Sequence, residues 1–144
     1  MSKKIVVITG SPRKNGNSFA MTEAFIKAAK EKGHTVTRFD AALKKAGGCR
    51  ACETCFSTGK ACTFDDVFNT IAPAILEADA LVFTMPVYWY SMSVMDGVRI
   101  PMERMCALNK WKMVGEVLIP GVLNVGDIDR TDGCKKASAL ADEI

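Results

Sequence analysis

The chain has 144 residues, of which 49% are hydrophobic and 24% are charged. This composition excludes fibrous and disordered proteins, and the length predicts a single domain over residues 1–144. The net charge of +3 comes without a basic block, so we expect neither nucleic acid nor a membrane as partner. We also expect a cytoplasmic protein, because the N-terminus lacks a signal-peptide pattern and the longest apolar stretch is too short to span a bilayer.

The first third of the chain has the pattern of a strand-helix-strand unit. A β-branched run over residues 3–9 predicts a parallel strand that is buried on both faces. Apolar residues at helical spacing from Ser18 predict a helix that ends at Gly33. The alternation over residues 34–39 then predicts a second, more exposed strand at the edge of a sheet.

The rest of the chain continues the alternation after a cysteine-rich loop at 47–64. The predicted elements are a helix from Asp65 or Asp66 to Glu77 with a kink at Pro73, a strand at 80–85, a helix at 93–108, a last strand at 116–122 and a terminal helix from Thr131 or Asp132. Alternating strands and helices predict a doubly wound α/β fold with a parallel sheet.

The segment Gly-Ser-Pro-Arg-Lys-Asn-Gly-Asn-Ser at residues 10–18 has the features of a phosphate-binding loop. It joins a buried strand to a helix, where free backbone N–H groups and the helix dipole attract an anion. The polar side chains in this loop are Ser11, Arg13, Lys14, Asn15, Asn17 and Ser18. The loop matches neither the ATP-binding nor the dinucleotide-binding pattern, and the alternative interpretation is an ordinary strand-to-helix turn with solvated charges.

Four motifs in this order resemble the NADPH-dependent FMN reductase family of flavodoxin-like proteins. They are the loop at 10–18, Asp65-Asp66, Pro-Val-Tyr-Trp at 86–89 after the third strand, and the closing Pro-Gly-Val…Gly-Asp-Ile at 120–128. The resemblance implies that Ser11, Arg13, Asn17 and Ser18 hold the FMN phosphate. It also implies a group of residues around the flavin ring, namely Pro86, Val87, Tyr88 and Trp89, with Ser91 and Met92 nearby. The alternative for the two aromatic residues is a role in the core or in an interface.

Four of the six cysteines lie within a short stretch, at Cys49, Cys52, Cys55 and Cys62. The triple at every third position is closer to compact iron-sulfur ligation than to the two separated pairs typical of zinc, and four thiolates match the needs of a [4Fe-4S] cluster. The iron-sulfur flavoproteins of the same family carry a compact cysteine motif of this kind. Zinc and reduced thiols remain the alternatives, and Cys106 and Cys134 are predicted to be small buried hydrophobic residues in helices.

The chain departs from the family after the third strand, because it passes from Asn109 almost directly to Gly115. One strand-helix unit of the family is therefore missing, and the fold is shortened to about four units. An unpaired strand next to this gap would be prone to association, so we expect a homo-oligomer in which a second subunit completes the flavin pocket.

Together these features predict an FMN-dependent NAD(P)H oxidoreductase or electron-transfer flavoprotein. NAD(P)H would deliver a hydride to the flavin, and a small-molecule or protein acceptor would take the electrons, with a [4Fe-4S] cluster as a further carrier. The flavin itself carries the chemistry, so no side chain is predicted to be catalytic. The contrasting hypothesis is a non-catalytic flavodoxin-like binding module with structural zinc or free thiols in the cysteine loop.

Overall fold

A computed structural model describes residues 1–87 and 92–144 of the chain, with the side chains of all of these except 92–94. Its three strands are β1 (Lys4–Thr9), β2 (Thr35–Asp40) and β3 (Ala80–Thr84). They form one parallel sheet in the order β2-β1-β3. The helices are α1 (Asn17–Glu31), α2 (Thr54–Thr58), α3 (Phe68–Leu76), α4 (Met92–Asn109) and α5 (Gly133–Ala139). This is the predicted α/β architecture, with β1 at the centre of the sheet as its continuous apolar run requires.

The main hydrophobic core lies between β1 and the helices α1 and α5. Ile5 and Val7 point to this side of the sheet and are at most 1% exposed. They pack in one cluster with Phe25 of α1 and Ala137 of α5. Helices from the two ends of the chain therefore cover the same face of the sheet, as in a doubly wound fold.

The register of the sheet aligns the carboxyl ends of all three strands. Thr9, the last residue of β1, lies opposite Asp40 on β2 and Thr84 on β3. The loops that follow β1 and β3 consequently start at the same edge of the sheet. Ligands of open α/β folds bind at this edge.

The predicted last strand at 116–122 is wrong, so three strands rather than about four form within the described ranges. The segment is neither helix nor strand and has no ladder partner there. It packs instead against α5 and the residue that follows it, because Gly115 lies against Leu140 and the side chain of Ile119 lies against Gly133. A strand needs a neighbouring strand at about 4.8 Å, and this segment lines a cavity together with β3 instead of pairing with a strand.

That cavity has a volume of about 1170 Å³ and runs along the whole of β3. It is lined by all of β3 and by residues 111–123, and α1, α4 and α5 contribute further residues. Among the described residues, none of the helices combines the length and the apolar character needed to cross a membrane.

Candidate functional site

The loop at 10–18 leaves the start of α1 open to an anion. Gly16 caps α1 in an extended conformation, no side chain accepts a hydrogen bond from the first turn, and this turn contains no acidic residue. Two local hydrogen bonds hold the loop: the Gly16 N–H donates to the carbonyl of Arg13 at 3.4 Å, and the Arg13 N–H donates to the Ser11 side-chain Oγ at 3.3 Å. The free N–H groups and the helix dipole favour a phosphate at this position.

The residues predicted for the phosphate site divide into two groups. Ser11, Arg13, Asn17 and Ser18 line the large cavity together with Gly16. In contrast, Lys14 lines a separate cavity of about 270 Å³ next to Arg38, and Asn15 is exposed and lines neither cavity. Arg13 is thus the cation that faces the large cavity from this loop.

Asn17 also binds a turn that the sequence reasoning did not include in the site. Its Nδ2 donates to the carbonyl of Asn124 at 3.0 Å, and its Oδ1 accepts the N–H of Ile128 at 3.3 Å. Within that turn, the carboxylate of Asp127 accepts the N–H groups of Leu123 and Asn124, which lowers the pKa of Asp127. Both amide atoms of Asn17 therefore connect the loop at 10–18, which we call the phosphate loop, to the turn at 123–128.

Of the predicted flavin-ring site, only Pro86 and Val87, which follow β3 after Met85, have described side chains. Pro86 and Val87 line the same cavity as the phosphate loop. The N–H of Gly10 donates to the carbonyl of Thr84 at 2.8 Å, which joins the starts of the two loops. The predicted positions Tyr88, Trp89 and Ser91, and the side chain of Met92, lie outside the described residues.

Buried threonines fix the elements beneath the site. Thr22 of α1 is 1% exposed, donates to the carbonyl of Ser18 at 2.7 Å and lies 2.9 Å from the hydroxyl of Thr84. On the other side of β1, Thr9 donates to Asp40 at 2.8 Å. Burial acts to raise the pKa of Asp40, but the hydrogen bonds from Thr9 and Arg38 outweigh it and lower the pKa overall.

The cysteine loop is exposed and has its own local structure. Cys49 and Cys52 are exposed and Cys55 and Cys62 are half-buried, and all four are free thiols. The carboxylate of Asp66 accepts the N–H of Gly47 at 2.6 Å and that of Phe68 at 2.8 Å, so that one side chain closes the base of the loop onto α3. These backbone bonds lower the pKa of Asp66.

The four thiols do not converge in this conformation. Across residues 1–87 and 92–144, no three histidine, cysteine or acidic side chains are grouped as a metal site would require. Hydrogen bonds from Thr54 nevertheless lower the pKa of Cys52, which favours the thiolate needed for metal binding. The donor chemistry thus suits an iron-sulfur cluster, and the loop would have to draw its cysteines together to hold one.

The open helix terminus also suits FMN. Its phosphate would meet the free N–H groups, Arg13 and the hydroxyls of Ser11 and Ser18, while the apolar part of the cavity beside Pro86 and Val87 accepts a flat ring. One cavity would thus hold both the phosphate and the ring of FMN.

Three comparisons with known proteins agree with this geometry. The chain is 33% identical over 90 residues to an iron-sulfur flavoprotein of Archaeoglobus fulgidus, covering 62% of this chain and 40% of that protein. An iron-sulfur flavoprotein of Methanocaldococcus jannaschii is 32% identical over 90 residues, covering 62% of this chain and 46% of that protein. The chain thus matches less than half the length of these two relatives.

The fold is also that of a solved structure, the NAD(P)H:quinone oxidoreductase from Methanothermobacter marburgensis. The TM-score is 0.65 at 16% identity, and the match covers 99% of this chain and 97% of the other. Residues 3–94, which include β1 to β3 and the phosphate loop, match the family described as NADPH-dependent FMN reductase. The chain belongs to the NADPH-dependent FMN reductase family.

Proposed function

We propose that the protein is an FMN-dependent NAD(P)H oxidoreductase. The observation that carries the proposal is that the phosphate loop and the Pro86-Val87 segment line one cavity at the carboxyl edge of the sheet. Membership of the FMN reductase family and the iron-sulfur flavoprotein relatives support the same activity.

In this proposal the side chains bind and orient rather than react. Arg13 supplies positive charge to the phosphate, Ser11 and Ser18 supply hydroxyl donors, and Asn17 holds the turn at 123–128 beside the loop. When bound, FMN accepts a hydride from NAD(P)H and passes electrons to a small-molecule or protein acceptor. No acid or base from the chain is required.

The phosphate site is tested with two neighbouring cations. Arg13→Ala should weaken FMN binding by about 1.5 to 3 kcal/mol, the cost of losing a charge-assisted hydrogen bond, while riboflavin binding stays constant because riboflavin lacks the phosphate. Lys14→Ala is the matched control, since Lys14 is equally exposed but faces the smaller cavity. Fluorescence titration measures the affinity of each variant for FMN and for riboflavin. Equal FMN affinities for the two variants would refute the assignment of Arg13.

We further propose that Cys49, Cys52, Cys55 and Cys62 hold a [4Fe-4S] cluster. The spacing, the free state of the thiols and the similarity to iron-sulfur flavoproteins support it. After anaerobic purification we expect about four iron and about four sulfide ions per chain, since four thiolates bind one [4Fe-4S] cluster. Cys52→Ser should lose this iron and Cys134→Ser should keep it. Zinc in place of iron would favour the structural alternative, and absence of both metals would leave the cysteines as thiols.

The expected homo-oligomer also belongs to this proposal. Ile100 and Leu108 lie about two turns apart on α4 and are 51% and 84% exposed, which is costly for large apolar side chains on a free surface. A second copy that covers α4 would bury them. Light scattering coupled to size-exclusion chromatography should report a dimer or larger assembly, and an Ile100→Lys, Leu108→Lys variant should be monomeric.

A further inference from the structure

The turn at 123–128 lies in the closing motif of the sequence, and hydrogen bonds close it on itself. The N–H of Asp127 donates to the carbonyl of Asn124 at 3.1 Å. One carboxylate oxygen of Asp127 accepts two N–H groups in return, that of Leu123 at 3.0 Å and that of Asn124 at 2.8 Å. Gly126 has a φ of +90°, a left-handed conformation that residues other than glycine rarely adopt. Asp127 is therefore the side chain that closes this turn.

The turn is anchored to the core on one side and faces the large cavity on the other. Ile128 is 2% exposed, and its carbonyl accepts the hydroxyl of Thr131 at 2.8 Å and the N–H of the same residue at 3.0 Å. The side chain of Ile128 lies against Gly133 at the start of α5. Leu123 and Val125 line the large cavity that the phosphate loop also lines. The turn thus has a fixed base and reaches the candidate FMN site.

Asn17 meets this turn at two backbone groups of opposite kind. Its Oδ1 accepts the N–H of Ile128 at 3.3 Å, and its Nδ2 donates to the carbonyl of Asn124 at 3.0 Å. An asparagine amide has one accepting end and one donating end, so an N–H and a carbonyl together allow only one orientation. This orientation directs the oxygen to the turn and leaves the second N–H of Nδ2 as the side-chain donor for an anion. The turn therefore determines which end of the amide a phosphate would meet.

Asn124 connects Asp127 to Asn17. The N–H of Asn124 donates to the carboxylate of Asp127, and its carbonyl accepts the bond from Asn17. The charge of Asp127 has the opposite influence on a phosphate, because a carboxylate repels an anion. If charge were the only influence, removal of Asp127 would strengthen phosphate binding. The sign of the change in FMN affinity therefore separates a positional role from an electrostatic one.

We propose that Asp127 is a positioning residue of the phosphate site, which acts through Asn124 and Asn17 on the phosphate of FMN. The inference rests on the proposed FMN-dependent function and adds to it a residue far from the phosphate loop in sequence. Without Asp127 the N–H groups of Leu123 and Asn124 lose their acceptor, and the turn no longer holds the Asn17 amide in one orientation. An amide oxygen turned toward the phosphate repels it. FMN should therefore lose affinity, and riboflavin, which lacks the phosphate, should lose less.

Three variants at two neighbouring acidic residues separate position from charge, with fluorescence titration of FMN and riboflavin on the full chain. Asp127→Ala should lower the ratio of FMN affinity to riboflavin affinity by about fivefold or more. Asp127→Asn should keep the wild-type ratio, because one amide oxygen can accept both N–H groups as the carboxylate oxygen does. Asp129→Ala is the matched control, since it removes the same charge from an exposed side chain two residues away and should not lower the ratio. Equal ratios for the wild type and Asp127→Ala, or for Asp127→Asn and Asp127→Ala, would overturn the proposal.

A double-mutant cycle tests whether Asp127 acts through Asn17. Asn17→Ala and Asp127→Ala together should weaken FMN by about as much as Asn17→Ala alone, and additive losses would overturn the proposal.

Hydrogen exchange on the wild type gives a test that does not depend on the folding of any variant. FMN should slow exchange over residues 123–128 by about threefold or more, and riboflavin should slow it less; unchanged exchange would overturn the proposal. A wild type that binds no FMN would overturn the proposed function and this inference with it. FMN binding by the wild type with an unchanged ratio for Asp127→Ala would overturn this inference alone.

Discussion

Thr22→Val tests whether a single buried hydroxyl joins α1 to β3 beneath the site. The substitution keeps the shape of a side chain that is 1% exposed and removes only its polar atom. Two hydrogen bonds disappear, one to the carbonyl of Ser18 at 2.7 Å and one with the hydroxyl of Thr84 at 2.9 Å. Each is worth about 1 kcal/mol net, and the new methyl group recovers part of the loss, so we expect unfolding free energy to fall by about 1 to 2 kcal/mol.

A double-mutant cycle isolates the bond between the two threonines. Thr84→Val alone removes the same bond from the other side but leaves the bond from Thr22 to Ser18 intact. The double variant should therefore be less destabilised than the sum of the single variants, with a coupling of about 0.5 to 1 kcal/mol. Urea unfolding followed by circular dichroism measures all four proteins. Additive losses would refute the inferred bond, and a changed slope would indicate that the two-state reading fails.

Two further predictions concern stability. The pKa of Asp40 is lowered in the folded protein, so its contribution to stability is present above the unfolded pKa of about 4 and is lost as the pH falls through the folded pKa. In urea unfolding, the wild type should therefore lose its advantage over Asp40→Asn progressively as the pH falls below about 5. Gly133→Ala should lower the free energy of unfolding by about 1 to 3 kcal/mol, because the new Cβ would lie 2.5 Å from Ile128 Cδ1. Gly97→Ala in α4 meets no atom within 4 Å and should raise the free energy of unfolding by about 0.5 to 1 kcal/mol. Thermal unfolding compares these two, and equal effects would contradict the packing at Gly133.

The sequence predicts those parts of the fold whose pattern depends on local burial. The run at 3–9 indicates β1 because a strand covered on both faces is apolar throughout, and β2 and β3 follow from similar short patterns bounded by turns. The segment at 116–122 has the same kind of pattern but does not form a strand. A strand also needs a neighbour at hydrogen-bonding distance, and that depends on which other elements the chain contains. Local pattern cannot show that, among the described residues, β3 pairs with β1 alone.

In the candidate site, the sequence likewise predicts the residue types but not the direction or the partners of each side chain. The type of residues in the loop at 10–18 predicts an anion site, and the loop does lie at the start of α1. The direction of each side chain is set by its surroundings: Arg13 faces the large cavity and the adjacent Lys14 the smaller one. The partners of Asn17 lie 107 and 111 residues further along the chain. The Asn-Val-Gly-Asp pattern at 124–127 indicates a turn, but nothing in it indicates contact with the phosphate loop.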